Sequence, residues 1–121
     1  MMFPKKFDYE YCSGSIILEL VASKWSVVVL QFIKTNNKVR FNDIFRGIPK
    51  ISEKVLAQTL DLLEWNGLIG KTVYVEAPPR TEYDILPLGD TLLPLLDKLK
   101  EWCDNNFDAI MANREKWEQS H

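Results

Sequence analysis

NDIFRGIPKISEKVLAQTLDLLEWNG, residues 42–67, reads as a short helix, a tight turn and a longer helix. Asn42 is a good N-cap for a short helix through about Arg46, with Gly47 closing it and Pro49 preventing its continuation. Ser52 caps a longer helix to about Asn66, and Gly67 ends it as a C′ glycine does. With Leu56 at 0° and about 100° per residue, Leu60 and Leu63 fall within about 40° of it and form the buried stripe. Lys54 and Gln58 lie opposite that stripe, and Val55 lies on the flank. This is the helix-turn-helix order, although such helix pairs also serve as plain packing units.

The period then changes. Ile69, Lys71, Val73 and Val75 alternate with Gly70, Thr72 and Tyr74, and residues 80–85 contain the β-formers Thr81, Tyr83 and Ile85. Between them, neither Pro78 nor Pro79 has an N–H to donate to a central strand. Two strands joined by a stiff protruding loop make a wing. Upstream, helices are expected over about Ser15–Ala22 and from Trp25, whose partners Val28, Val29 and Phe32 share one face. Thr35-Asn36-Asn37 stops the second, and Val39-Arg40-Phe41 is long enough for one edge strand. Downstream, Pro87 suits a first helical turn. A long helix then carries Leu92, Leu95, Leu96, Leu99 and Trp102, and a last short one holds Phe107, Ile110, Met111 and Trp117. The expected fold class is α+β, mainly α: a single winged helix-turn-helix domain with a two- to three-stranded wing sheet. The helix-turn-helix covers about 42–66, the wing about 69–85, and dimerisation helices about 13–22 and 88–118.

The chain has 121 residues, 26% charged and 46% hydrophobic, an ordinary globular balance. No apolar run approaches the ~18 residues of a membrane span, and Met1-Met2-Phe3-Pro4-Lys5-Lys6 lacks the apolar stretch of a secretory signal, so none is expected. A reduced, cytoplasmic setting is expected, because Cys12 and Cys103 make no disulfide scaffold. The only histidine is His121, and there is neither a glycine-rich phosphate loop nor a metal-spaced ligand set, so an enzyme, a cofactor and a metal are not expected.

Net charge is −2, which on its face opposes a nucleic-acid partner. Its distribution softens that objection. Residues 1–37 carry four Lys/Arg against three Asp/Glu, 38–82 seven against six, and 83–121 four against eight. The acidity therefore sits in the last third. Candidate DNA contacts are Arg40, Asn42, Ser52, Lys54, Val55, Gln58, Lys71 and Arg80. Lysine serves guanine or phosphate, glutamine pairs bidentately with adenine, and valine packs on a thymine methyl. The acidic pI of about 5.4 keeps open an alternative, a winged-helix protein-interaction module without DNA binding.

Four stretches carry a family resemblance: Cys12 with Lys24-Trp25; Arg40-Phe41-Asn42-Asp43-Ile44; Ile51 to Leu56 through Gly67-Leu68-Ile69; and Val73 to Tyr83, followed by Pro87-Leu88-Gly89. Over essentially its whole length the chain resembles the HxlR family of MarR-like winged-helix regulators. The resemblance implies a homodimer on a pseudo-palindromic operator in double-stranded DNA, with recognition helices in successive major grooves about 34 Å apart. It also implies a dimer interface made by the terminal helices, here Ile16, Leu92, Leu95, Leu96, Leu99, Trp102 and Phe107. Many relatives use the N-terminal cysteine as a thiol sensor, which gives Cys12 that role and makes Cys103 its candidate partner across the interface. An oxidant or a small molecule lodged between the dimer helices would then be the effector. Two positions depart from the family pattern: Ser13 follows Cys12 where proline is usual, and Leu86 precedes Pro87 where relatives often carry a capping threonine.

Overall fold

In a computed structural model, which describes Ser15, Leu18–Leu20 and residues 23–121, helix α1 spans Lys24–Asn36. It buries Ser26, Val29, Leu30 and Ile33. The expected apolar face centred on Trp25, Val28, Val29 and Phe32 is therefore rotated. Val28 is exposed, and Trp25 and Phe32 are half-buried against the core. Its seven apolar residues cover more than half of the helix circumference, so tertiary packing selects the inner face among them.

Strand β1 (Val39–Arg40) leads directly into helix α2 (Phe41–Gly47). The N-cap is Arg40, not Asn42 as expected. Asp43 Oδ2 accepts the Arg40 backbone N–H at 3.0 Å, so the carboxylate at the third helical position supplies the capping bond. Gly47 belongs to the helix, and its lack of a side chain admits the Phe32 ring, which a Cβ there would overlap. After a turn through Pro49 and Lys50 (φ 70°), helix α3 runs Glu53–Trp65. Ser52 Oγ accepts from Val55 N at 3.1 Å, the expected cap. Gly67, at φ 75°, closes the other end: its N–H donates to Glu64 O and that of Leu68 to Leu63 O, both at 3.0 Å. That bond pair is a Schellman closure, and its left-handed residue favours glycine.

The Schellman turn feeds β2 (Ile69–Tyr74), which pairs antiparallel with β3 (Arg80–Ile85) in the register Lys71↔Tyr83 and Tyr74↔Arg80. On the other side of β3 lies β1, with Arg40 opposite Glu82, giving the sheet order β1-β3-β2. The edge strand thus ties the start of α2 to the wing. Val75 stands outside the strand and is fully solvent-facing.

Pro87 opens helix α4, which continues without interruption to Ser120. The expected break between a long and a short helix is absent. Asn105 and Asn106 are weak helix formers but not breakers, and Asn106 Nδ2 donates to Trp102 O at 2.8 Å within the helix. Its 34 residues extend about 51 Å. Among the described residues, its buried positions, Gly89 and Leu96, lie in the N-terminal part. Leu96 is in the core at 4% exposure and Leu92 packs against it. Both had been expected at the dimer interface, and both instead cover their own domain, because the first turns of α4 lie over α1. Beyond Leu96 no residue of α4 is buried.

The core is one cluster including Leu30, Ile33, Ile44, Leu56, Leu60, Leu63 and Ile69, so α1, α2, α3 and the base of the wing share it. The fold class is as expected, a mainly helical winged helix-turn-helix, with three strands in its sheet. Among the described residues no helix is long and apolar enough to cross a membrane.

Candidate nucleic-acid interface

Burial of Leu56, Thr59, Leu60 and Leu63 leaves the opposite side of α3 in solvent, where Lys54, Ala57, Gln58, Asp61 and Trp65 are exposed. Lys54 and Gln58 present a cation and an amide from the first two turns, the part of a recognition helix that reaches base edges. Ser52 lends its Oγ lone pair to the cap and keeps its hydroxyl proton available to donate. Val55 is half-buried against the core, which limits what it can offer a ligand. Trp65, 77% exposed, stands on the same face about two turns beyond Gln58. Sequence reasoning passed over it, although the 100° rule places it opposite Leu56.

Exposed cations also stand on the segments that flank this helix in the chain. Arg40 and Lys54 were expected; Lys38, Arg46 and Lys50 had not been singled out. Their signal was in the sequence, as the excess of base over acid in 38–82. Among the described residues none of these five, nor the exposed Lys71 on β2, is in an ion pair with a carboxylate. Asn42, exposed in the first turn of α2, lines an open groove of about 530 Å³ with Arg40, Glu76 and Arg80, between α2 and the wing loop.

Arg80 differs from the other cations. Its Nη1 is 3.2 Å from Glu76 Oε1, its Nε is 3.2 Å from Glu82 Oε1, and its guanidinium lies 4.1 Å from the centre of the Tyr74 ring. The Nε contact is an ion pair at an angle too poor for a hydrogen bond, so that nitrogen is buried without a directed acceptor. The other wing tyrosine, Tyr83, packs against the core. Its hydroxyl pKa is raised by burial first and then by the carboxylates of Glu64 and Asp61.

The remaining candidates are spread out. Cys12 and Ile16 lie outside the described residues. Cys103 is a free, exposed cysteine on α4. Leu95, Leu99, Trp102 and Phe107 are all more than half exposed along the same helix.

The model of the HxlR-like helix-turn-helix family matches residues 20–111. An uncharacterised HTH-type transcriptional regulator from Methanothermobacter thermautotrophicus is 44% identical over 96 residues, covering 78% of this chain and 72% of the relative. A MarR-family transcriptional regulator from Porphyromonas gingivalis W83 superposes with a TM-score of 0.70 at 35% identity, covering 84% of this chain and 99% of that one. The redox regulator HypR in its reduced form gives a TM-score of 0.73 at 30% identity, covering 84% and 99%. These relatives are transcriptional regulators, not enzymes. With an HTH core, a three-stranded wing and a family match spanning helix, wing and most of α4, the chain belongs to the HxlR-like helix-turn-helix family of transcriptional regulators.

Proposed function

We propose that this regulator binds double-stranded operator DNA sequence-specifically, as a homodimer on a pseudo-palindromic site. The observation that carries this reading is the solvent face of a well-capped α3, bearing Lys54 and Gln58, beside cations without carboxylate partners among the described residues. Lys38, Arg40, Arg46, Lys50 and Lys71 hold phosphate; Gln58, Lys54 and the Ser52 hydroxyl read bases, with Asn42 at the groove beside the wing. The net negative charge does not oppose this, because it is concentrated in residues 83–121, on and around α4.

Anisotropy titrations of labelled duplex over a range of salt test the proposal. Neutralising several phosphates per protomer gives a steep fall, log K dropping by about 0.9 per phosphate for each decade of salt. Gln58→Ala should flatten discrimination at one base pair of each half-site by about 1–3 kcal/mol, with the salt slope unchanged. A folded wild type that binds no duplex at low salt points instead to a protein-interaction module.

The dimer is proposed to form through α4, whose outer part has no buried residue among the described ones. A cytoplasmic setting accords with operator binding. Likeness to the redox regulator HypR supports an oxidant as effector, sensed at Cys12, with a small molecule between the dimer helices as the second candidate. Diamide treatment followed by a non-reducing gel and a DNA titration decides between them. A covalent dimer lost in Cys12→Ser, with altered DNA affinity, supports thiol sensing. Unchanged affinity after oxidation refutes it.

A further inference from the structure

Arg80 is enclosed on three sides, and the two carboxylates that hold it are not equivalent. Glu82 sits in the middle strand, opposite both Arg40 and Thr72, and its side chain is 19% exposed. It approaches Nε, the nitrogen nearest the arginine stem. Glu76 comes from the wing loop and is 47% exposed, with Oε1 at 3.2 Å and Oε2 at 3.3 Å from the terminal Nη1. Tyr74 covers one guanidinium face. Glu76 also lines the open groove shared by Arg40, Asn42 and Arg80, and among the described residues it is the only carboxylate there.

We infer that Glu76 occupies on Arg80 the place of a DNA phosphate and competes with it, whereas Glu82 is a positioning residue that aims the arginine into the groove. This rests on the DNA-binding reading and deepens it. A carboxylate and a phosphate offer an arginine the same paired acceptor oxygens. An exposed ion pair on a loop is weak enough for a phosphate to displace. The approaching phosphate also repels Glu76, and the loop carboxylate swings out to solvent. Glu82, shielded in the sheet, stays beside Nε as an ion pair without a directed hydrogen bond and retains the guanidinium by charge, while the Tyr74 ring covers one face and limits how it can fold away. The wing cation is thereby muted in the free protein and restricted to one direction in the complex.

The two carboxylates have the same charge, so the inference predicts opposite signs where bare electrostatics predicts the same sign. The probe is a fluorescein-labelled duplex that the wild type enriches from a randomised pool, with the melting temperature of each variant measured alongside. Glu76→Gln should tighten binding about two- to fivefold, the range of one exposed charge contact. Glu82→Gln should weaken it by a similar factor or more, and in an Arg80→Ala background neither substitution should have an effect. Both variants binding tighter, both binding unchanged, or a Glu76→Gln gain that survives Arg80→Ala would each overturn the inference and leave DNA binding standing. If Glu82→Gln melts early, the exposed-loop variant and its Arg80→Ala cycle decide alone. Enrichment of no duplex by folded wild type overturns the DNA-binding reading and this inference with it.

Discussion

Leu99→Glu combined with Trp102→Glu is expected to turn the proposed homodimer into monomers and to lower the proposed operator affinity at least about a hundredfold. On α4, at about 100° per residue, Leu88, Leu95, Leu99, Trp102, Ile110 and Trp117 fall within a window of roughly 80°, a continuous apolar stripe. Ile110 is half-buried; the other five are more than half exposed. No residue of α4 beyond Leu96 is buried, so among the described residues the outer part of the helix has little apolar support from its own domain. Most helical stability in proteins comes from packing of an apolar face, and in the proposed homodimer a second copy laid along the stripe would supply that packing. Aromatic and leucine side chains at the centre of such a seam carry much of the association energy. Two carboxylates placed there are desolvated without partners, which is costly.

The DNA effect follows from bivalency. Two joined half-site readers bind the second half-site at an effective concentration near millimolar, a gain of about 10² to 10⁴ over one reader. Sedimentation and anisotropy should therefore change together, with a loss of helical circular dichroism as the free end of α4 frays. Lys98→Glu, off the stripe on the same helix, serves as the control for added charge. A monomeric double variant that keeps wild-type affinity refutes the dimeric reading mode, and a variant that stays dimeric moves the interface elsewhere. Phe107 stands about 110° from the mid-line of Leu99 and Trp102, so Phe107→Ala should cost much less than Trp102→Ala.

The parts of this fold that were legible in the sequence are those determined by neighbours in the chain. Ser52 caps α3 and Gly67 ends it through bonds within five residues. The wing declares itself because strand alternation stops at two prolines that cannot donate. What stayed hidden depends on what arrives from elsewhere. Asn42 is the better capping residue by type, yet Asp43 supplies the bond and the N-cap moves back two positions, to Arg40. Leu96 and Leu99 look alike on a helical wheel, and only the placement of α1 decides that one is core and the other is exposed. Val55 and Gln58 were read together as base contacts, but packing half-buries the valine and leaves the glutamine free. Arg80 is the sharpest case. Its i,i+2 relation to Glu82 places both on one face of a strand, which was readable. The return of Glu76 across the loop was not, and it separates Arg80 from the cations that have no carboxylate partner among the described residues.

Gly89→Ala should destabilise the domain by at least about 2 kcal/mol, where helix propensity alone would have it stabilise by about 1 kcal/mol. The sign turns on one contact. Gly89, buried in the first turn of α4, lies so close to the Leu68 carbonyl that a Cβ would overlap its oxygen and come within 2.8 Å of Ile85 Cγ1. A flexible side-chain end could move aside, but the Leu68 oxygen cannot. It accepts the Leu86 N–H at 3.0 Å, the bond that joins the start of β2 to the residue capping α4. Relief therefore requires α4 to lift from the base of the wing, withdrawing Leu92 and Leu96 from the core. Overpacking of this kind costs about 1–3 kcal/mol, and lost burial of those leucines adds to it. At about 4–8 °C per kcal/mol for a domain of roughly this size, the melting temperature should fall by about 10 °C or more. A Gly89→Ala protein melting at or above the wild type would show that α4 is not seated against Leu68. The same lift would tilt the helix bearing the proposed dimer seam relative to α3, so the folded fraction should bind a pseudo-palindromic site less tightly while keeping its affinity for a single half-site. That pairing of losses would show that Gly89 sets the distance between the two recognition helices as well as the stability of the domain.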